Sequence, residues 1–216
     1  MGVSVGSSIY NAPSIYESGA GGGGSDSTIG GREYKTVTIG GVTWLAENLD
    51  YKFSGCGIGG SGTPTTPNAW YYNDDEATYG IDGIRKCGLL YNWYAAKFLN
   101  DNRALLIPGW HVPTYDEWNA LINSVGGLLV AGTKLKASNV DWALSWGGTD
   151  DYGFTVFPSG FRFSGSFYDV GNWSYIWTST EYSAAFSYDC CFDTGTNATL
   201  SYHNKENGYP IRLVKD

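Results

Sequence analysis

Alternating apolar and polar positions predict a β-hairpin near the start of the folded part of the chain. The segment TVTIGGVTWLAENL places Val37 and Ile39 before Gly40 and Gly41, and Trp44 after them. Two period-two runs joined by a glycine pair are typical of a tight hairpin, because glycine readily adopts the positive φ of such turns. We therefore expect a pair of antiparallel strands to open the domain.

Two segments in the middle of the chain have helical spacing instead. In CGLLYNWYAAKFLND the apolar residues recur at i, i+3 and i+4, which predicts a first helix over about residues 88–100. PTYDEWNALINSVGG predicts a second helix over residues 115–125, because Thr114 and Glu117 form a capping-box pattern at its start. An apolar stripe follows this cap and ends at a pair of glycines, which is typical of a helix end.

Period two returns after the second helix. Five short runs, TVFPSGFRF, YIWTST, SYDCCFD, ATLSY and GYPIRLV, are separated by turn residues and predict antiparallel strands. Residues 53–83 are rich in Gly, Ser, Thr, Pro and Asn and predict a long loop. A hairpin, two helices and a set of strands together predict an α+β domain in which the first and last strands pair.

Residues 1–31 differ in composition from the rest of the chain. They hold nine glycines, including the run at residues 21–24, which predicts a flexible leader before a domain over residues 32–216. The repeated S-I-Y unit in SSIYNAPSIYES leaves another interpretation open, in which the leader adds an extended strand to a partner. We find neither an apolar signal-peptide region nor 18 consecutive apolar residues, so we expect no secretory signal and no membrane insertion.

Charge and cysteine usage narrow the classes of function. The 216 residues include 13 basic and 21 acidic ones, a net charge of -8, and there is no Lys or Arg between residues 165 and 204. This distribution disfavours a nucleic-acid partner. The four cysteines, Cys56, Cys87, Cys190 and Cys191, are too unevenly spaced for a disulfide framework or a zinc site. Cys190 and Cys191 are adjacent, so on a strand their side chains point to opposite faces.

Candidate catalytic and metal-binding groups are few. The pairs Asp74–Asp75 and Asp150–Asp151 could hold a structural calcium ion, or could be turn residues that cap neighbouring strands, which is the interpretation we favour. His111 has no Ser or Cys nucleophile at a diagnostic spacing, so we interpret it as a packed structural histidine. We expect no catalytic residue and no cofactor.

The C-terminal strands supply the best candidate for a binding surface. Period two in residues 186–193 assigns Phe186, Tyr188, Cys190 and Phe192 to the core and the intervening residues to an exposed face. We expect Trp173 and Tyr182 to belong to the same aromatic and polar surface, whose composition is typical of evolved binding sites. An ordinary solvated sheet face is the alternative. The predicted ligand-binding residues are Tyr175, Ser183, Ala184, Ala185, Ser187, Asp189, Cys191, Asp193, Thr199, Ser201 and His203.

Seven strings along the chain, in order, resemble the Fibrobacter succinogenes major paralogous domain. They are VTIGGVTWLAENL, GLLYNWYAA, PGWHVPTYDEWNALI, AGTKLKAS, GTDDYGFTVFPSGFR, IWTSTEYS and GYPIRLVKD, and they cover nearly all of residues 34–216. That family is similar to a C-type lectin-like branch related to formylglycine-generating enzymes. The helix start of that branch is echoed by Trp110, Pro113, Thr114, Glu117 and Trp118, and its last strand by Ile211, Arg212, Leu213 and Val214. The resemblance implies two helices, a small sheet that joins the termini, and a second sheet that bears the ligand surface.

The resemblance also implies a function. Similar proteins are the variable proteins of diversity-generating retroelements in phage and Bacteroides-type bacteria, whose C-terminal region is rewritten at adenine-containing codons and displayed for receptor binding. Residues 175–205 lie where such a region would be, and their Ser, Ala, Asp, Cys, Thr, Tyr and His residues are outcomes of mutating an AAY codon. We therefore expect a phage-tail or cell-surface protein that binds a host-surface protein or glycan. Residues 1–31 would join a tail or baseplate protein and tie the chain into an oligomer, expected to be a homotrimer.

The sequence departs from the catalytic and sugar-binding relatives. The paired cysteines that the oxidases use for copper and oxygen chemistry have no counterpart except Cys190 and Cys191, whose adjacency is wrong for that role. The Glu-Pro-Asn and Gln-Pro-Asp triplets of calcium-dependent lectins do not occur. We therefore expect a protein that is not an enzyme. A formylglycine-generating-like oxidase and a bacterial surface adhesin or carbohydrate-binding module remain the alternatives.

Overall fold

The computed structural model describes residues 27–216 and shows an α+β protein. Its four α-helices are α1 (Glu76–Tyr79), α2 (Trp93–Asp101), α3 (Tyr115–Ser124) and α4 (Leu128–Leu135). Its strands are β1 (Thr28–Ile29), β2 (Arg32–Glu33), β3 (Thr36–Ile39), β4 (Val42–Leu45), β5 (Gly57–Ile58), β6 (Asn68–Trp70), β7 (Leu90–Tyr91), β8 (Trp110–His111), β9 (Ser159–Phe163), β10 (Ser166–Val170), β11 (Ser174–Glu181), β12 (Phe186–Phe192), β13 (Ala198–Asn204) and β14 (Val214–Lys215). None of the helices in this part of the chain is long and apolar enough to cross a membrane.

Four sheets organise these strands. The largest has the order β10-β9-β11-β12-β13, and a four-stranded sheet has the order β3-β4-β14-β8. The predicted hairpin is confirmed, since Ile39 pairs with Val42 across the two glycines. The predicted pairing of first and last strands is also confirmed in this sheet, where Val214 pairs with Trp44. The remaining strands form the sheets β5-β6-β7 and β1-β2.

The strand predictions for the last third of the chain need three corrections. Residues 166–170 form the unpredicted strand β10, which pairs with β9. β9 and β11 are parallel rather than antiparallel, with Ser174 beside Gly160. Of the run GYPIRLV, only Val214 lies in a strand, the two-residue β14 that joins the four-stranded sheet.

The helix predictions are partly confirmed. α3 has both hydrogen bonds of the Thr114–Glu117 capping box. α2 begins at Trp93 rather than at residue 88, because Leu90–Tyr91 pairs with β6 and the Asn92 side chain caps the helix at Ala95. The prediction of only two helices was wrong, since α1 and α4 are additional. The apolar pattern did not predict α4, because the apolar residues Leu128, Leu129 and Val130 at its start are exposed. The buried side of α4 packs on β13.

Parts of the predicted loop and of the predicted leader form short strands and a helix with buried side chains. Residues 53–83 contain β5, β6 and α1, and the Trp70 ring is fully buried there. The predicted leader boundary at residue 31 cuts the hairpin of β1 and β2, in which Ile29 lies in the core. The rest of that predicted leader, residues 1–26, lies outside the described residues.

The two larger of three hydrophobic cores in the described structure lie on opposite sides of the large sheet. The first core holds Tyr91, Trp110, Trp177, Tyr209 and Leu213, among others. The second core holds Trp118, Phe154, Ile176, Cys190 and Phe192, among others. Because Trp177 and Ile176 are consecutive on β11, their side chains point to opposite faces, so β11 separates the two cores.

Candidate functional site

The predicted polar face exists as a row of paired residues on β11, β12 and β13. The register places Tyr175 beside Cys191 and Cys191 beside Thr199. Asp189 likewise pairs with Ser201 on the next strand. Side chains of directly paired residues lie on the same face of a sheet. We call this side of the large sheet, which also carries His203 and Trp177, the outer face.

Burial on the outer face does not follow the prediction of uniform exposure. Thr199 is exposed and Cys191 is half-buried, but Ser187 and Asp189 are 0% exposed. Ser187 donates a hydrogen bond to the Thr180 carbonyl, 2.7 Å away. The end of the outer face near Thr180 is covered because α2 packs on β11, with the Trp93 indole in the first core. Predicted exposure is therefore wrong for Ser187 and Asp189.

The opposite face also differs from the prediction. Cys190 and Phe192 lie in the second core as expected, but Phe186 is 39% exposed and Tyr188 is half-exposed. The second core ends before these residues, since α3 reaches only as far as Tyr115, whose ring lies 4.8 Å from that of Tyr188. Tyr188 therefore belongs to a group that we call the tyrosine patch, comprising Tyr115, Tyr182, Phe186, Tyr188 and Tyr202.

Three predicted residues lie apart from the rest. Ser183, Ala184 and Ala185 form the exposed turn between β11 and β12, at the end of β12 opposite Asp193. At about 3.3 Å per residue, Ala185 and Asp193 are separated by about 26 Å along the strand. The Lys205 ammonium holds this turn by donating to the Ala184 carbonyl. The structure therefore brings the turn to the other end of β12 and keeps the remaining predicted residues other than Ser187 together: Tyr175, Asp189, Cys191, Asp193, Thr199, Ser201 and His203.

Asp189 and His203 form the most distinctive polar contact of the outer face. The His203 Nδ1 atom lies 2.7 Å from the Asp189 Oδ2 atom, whereas the buried Oδ1 atom has no hydrogen-bond partner. Burial raises the pKa of the Asp189 carboxyl, and the contact with His203 opposes that rise. The His203 side chain is partly exposed and touches the Tyr175 ring edge-on, with 5.1 Å between centroids. The buried Asp189 carboxylate thus fixes the orientation of the partly exposed His203 imidazole.

The adjacent cysteines do not converge. Cys190 lies in the second core and Cys191 on the outer face, as the alternation of strand residues predicts. Burial raises the pKa of the Cys191 thiol to about 12 and that of Cys190 well above its usual value. Both thiols are therefore protonated at neutral pH, and neither is a ready nucleophile or metal ligand.

The other sequence candidates have local structural roles. Asp75 caps α1 by accepting from the Thr78 amide, and Asp150 accepts from the Thr155 amide and hydroxyl. These contacts confirm the turn interpretation for one Asp of each pair. His111 is buried, as predicted, with Nε2 2.8 Å from the Glu117 carboxylate. Among the described residues, no cluster of three or more His, Cys, Asp or Glu side chains could hold a metal ion.

Sequence reasoning missed the aromatic half of the outer face. Phe161 and Phe163 on β9 and Tyr168 on β10 continue this face beyond Tyr175. The run TVFPSGFRF already shows Phe161 and Phe163 two residues apart, which is the available signal for a shared face. β10 gave no comparable signal because its position beside β9 depends on the hairpin turn at residues 164 and 165.

Comparison with protein families supplies one match. The model of the Fibrobacter succinogenes major domain matches residues 37–215, which includes nearly all of the described structure. A search of curated proteins found no match to the chain.

Proposed function

The chain belongs to the Fibrobacter succinogenes major domain family, and on that premise we propose that it is a non-catalytic ligand-binding protein. The C-terminal strands carry the binding surface on a C-type lectin-like scaffold. In this proposal the chain is the variable protein of a diversity-generating retroelement, displayed on a phage tail or a cell surface. Its ligand is a host-surface protein or glycan.

The observation that carries the proposal is the open end of the outer face, where half-buried and exposed residues lie beyond the part of that face that Trp177 and the first core cover. Cys191, Thr199 and Ser201 lie on neighbouring strands that are hydrogen-bonded to each other. Cys190 and Phe192, which flank Cys191 on β12, point to the other face and lie in the second core. Changing an exposed side chain leaves the backbone ladder and both cores intact, and such substitutions usually alter stability by less than about 0.5 kcal/mol. A surface of this kind tolerates diversification.

The cysteine geometry supports binding over oxidase chemistry. An oxidase of the formylglycine-generating type needs two thiols that converge on one copper ion. Cys190 and Cys191 instead point to opposite faces of β12, and burial raises the pKa of each. A copper titration that showed tight, stoichiometric uptake by these two cysteines would favour the oxidase alternative.

In this proposal the N-terminal segment attaches the chain to its assembly partners. Residues 1–31 tie the chain to a tail or baseplate partner and into a homotrimer, which raises avidity by a factor of roughly 10² to 10⁴ without new contacts at each site. Light scattering of the full chain and of a chain that starts at Ser27 tests this assignment. Monomers in both samples would contradict self-assembly.

Sequencing the surrounding locus tests the function most directly. We expect a nearby reverse-transcriptase gene and a second copy of the sequence that encodes residues 175–205. Differences between the two copies should be confined to adenines of the template copy and should fall on codons for exposed residues. A locus with neither feature would contradict the diversification proposal.

A further inference from the structure

The outer face continues across β9 and β10 as an unbroken run of aromatic rings. Trp173 and Tyr175 are parallel within 8°, with 5.7 Å between their centroids. Tyr175 contacts Phe161 at 5.2 Å, and Phe161 stacks on Tyr168 at 5.7 Å. Phe163 extends the run beyond Tyr168 at 6.5 Å. We call these five residues the aromatic run.

Much of this aromatic surface is open. Phe163 is 50% exposed and Tyr168 is 42% exposed, while Phe161, Trp173 and Tyr175 are half-buried. Aromatic side chains usually bury most of their area, so an open contiguous run is typical of an interaction surface.

The strand beneath the run is held rigidly. Arg162 alternates with Phe161 and Phe163 and is buried on the other side of β9. Its guanidinium donates to the carbonyls of Gly60 and Gly62 and lies 4.0 Å above the Trp70 ring. The rings are therefore presented on a fixed backbone, which lowers the entropy cost of binding a ligand.

The charges around the run select the ligand class. There is no Lys or Arg between residues 165 and 204, whereas Asp169 is exposed and Asp193 half-exposed near the run. An anionic ligand would meet these carboxylates, which costs affinity, while the Lys136 ammonium next to Asp193 is fully buried and already bonded to backbone carbonyls. The remaining polar groups, including the Thr199 and Ser201 hydroxyls, suit an uncharged partner with many hydroxyl groups.

His203 supplies a directional hydrogen-bonding group beside the aromatic run. Nδ1 faces Asp189, so in the tautomer that donates from Nδ1 to the Asp189 carboxylate the Nε2 lone pair is left as an acceptor. The Nε2 atom has no hydrogen-bond partner within the described structure, and the ring stands edge-on against Tyr175. It can accept a hydrogen bond from a ligand hydroxyl.

We propose that the aromatic run, with His203 at its end, binds the sugar rings of a neutral oligosaccharide on the host surface. The C–H groups on the flat side of a pyranose ring carry partial positive charge and pack on the negative face of an aromatic ring. The equatorial hydroxyls then reach His203, Ser201 and Thr199. This inference rests on the proposed binding function and specifies its ligand.

An array of neutral, sialylated and sulfated oligosaccharides, probed with the full chain, tests the inference. We expect binding to a subset of neutral glycans that is nearly unchanged by added salt, because no ion pair is formed. The double variant Phe163→Ala/Tyr168→Ala should weaken this binding by at least about tenfold. Its melting temperature should stay close to that of the parent chain, because about half of each residue is already exposed.

A matched control lies on the other side of the sheet. The double variant Phe186→Ala/Tyr202→Ala removes one Phe and one Tyr of similar exposure, 39% and 47%, from the tyrosine patch. It should leave glycan binding intact. Equal loss in both double variants, or no loss in the first, would place the ligand away from the aromatic run.

Two further results would overturn the glycan assignment. Binding confined to sialylated or sulfated glycans, with strong salt dependence, would show that charge recognition dominates. No binding to any neutral glycan would refute the ligand class. The locus sequence tests the proposed binding function separately from its ligand. If the locus holds a reverse transcriptase and an adenine-biased copy but no neutral glycan binds, the proposed binding function stands and only the glycan assignment fails.

Discussion

At the scale of single residues, burial decides whether a position on the outer face can vary. Thr199 and Ser187 lie on the same face of neighbouring strands, yet Thr199 is exposed and Ser187 is fully buried. The Ser187 hydroxyl donates to the Thr180 carbonyl, so its removal leaves a carbonyl without that donor. Only the first of these two positions is therefore suited to a variable binding surface.

We expect Ser187→Ala to lower the free energy of unfolding by about 1 kcal/mol, the net contribution of a typical hydrogen bond. Thr199→Ala should change it by less than about 0.5 kcal/mol, because the side chain is exposed. Urea unfolding of the two variants and the parent chain measures both effects. Equal stability of the two variants would show that Ser187 has no structural role.

At the scale of elements, one buried lysine links α4 to the end of β12. Lys136 follows α4 directly in the sequence, and its ammonium group donates to the carbonyls of Asp193 and Gly195. It also lies 4.8 Å above the Trp146 ring. These contacts fix the turn between β12 and β13, where Asp193 borders the outer face.

We expect Lys136→Met to lower the free energy of unfolding by about 2 kcal/mol, since two carbonyls lose their charged donor. Lys97→Met is the matched control, because Lys97 is half-exposed and its only ion pair within the described structure is with Asp101, one helical turn further along α2. An exposed pair of this kind contributes about 0.3–0.5 kcal/mol. A Lys136 variant no less stable than the Lys97 variant would refute the proposed link.

At the scale of the whole molecule, a charged cluster joins α3, β8 and the last residue. The His111 imidazole lies 2.8 Å from Glu117 and 2.5 Å from Asp216. The hydrogen bond to Glu117 raises the pKa of His111 above its usual value, although burial opposes this. The pKa of Glu117 is lowered because its hydrogen bonds, chiefly to His111, outweigh the opposing effect of burial.

The raised pKa of His111 predicts how stability depends on pH. Its contribution is fully present below about pH 6.5, where the unfolded chain is also protonated, and is lost as pH rises through the folded pKa. The stability advantage of the parent chain over His111→Gln should therefore be larger at about pH 5.5 than at about pH 8.5. Urea unfolding at the two pH values measures this difference.

Glu117→Gln is the control for this prediction. It keeps a side-chain oxygen that can accept from the Thr114 amide in the capping box, but removes the charge that faces His111. In that background the pH dependence of the His111→Gln effect should shrink. An unchanged dependence would show that the carboxylate of Asp216 or another group carries it.

Local patterns along the sequence determined several elements of this protein by themselves. The glycine pair at residues 40 and 41 and the Thr114–Glu117 capping box act within a few residues, so the hairpin and α3 could be predicted. Period two also placed Cys191, Thr199 and Ser201 on one face, because strand geometry alternates side chains whatever lies around them.

Only the tertiary structure decided which parts of each face are covered. The two cores cover opposite ends of β12 on its opposite faces. The outer face is therefore open at Cys191 and buried at Ser187. The other face is buried at Cys190 and open at Phe186. α2 and α3 produce this arrangement, and they lie far from β12 in sequence. Burial is a property of what packs against a strand, which its own alternation does not contain.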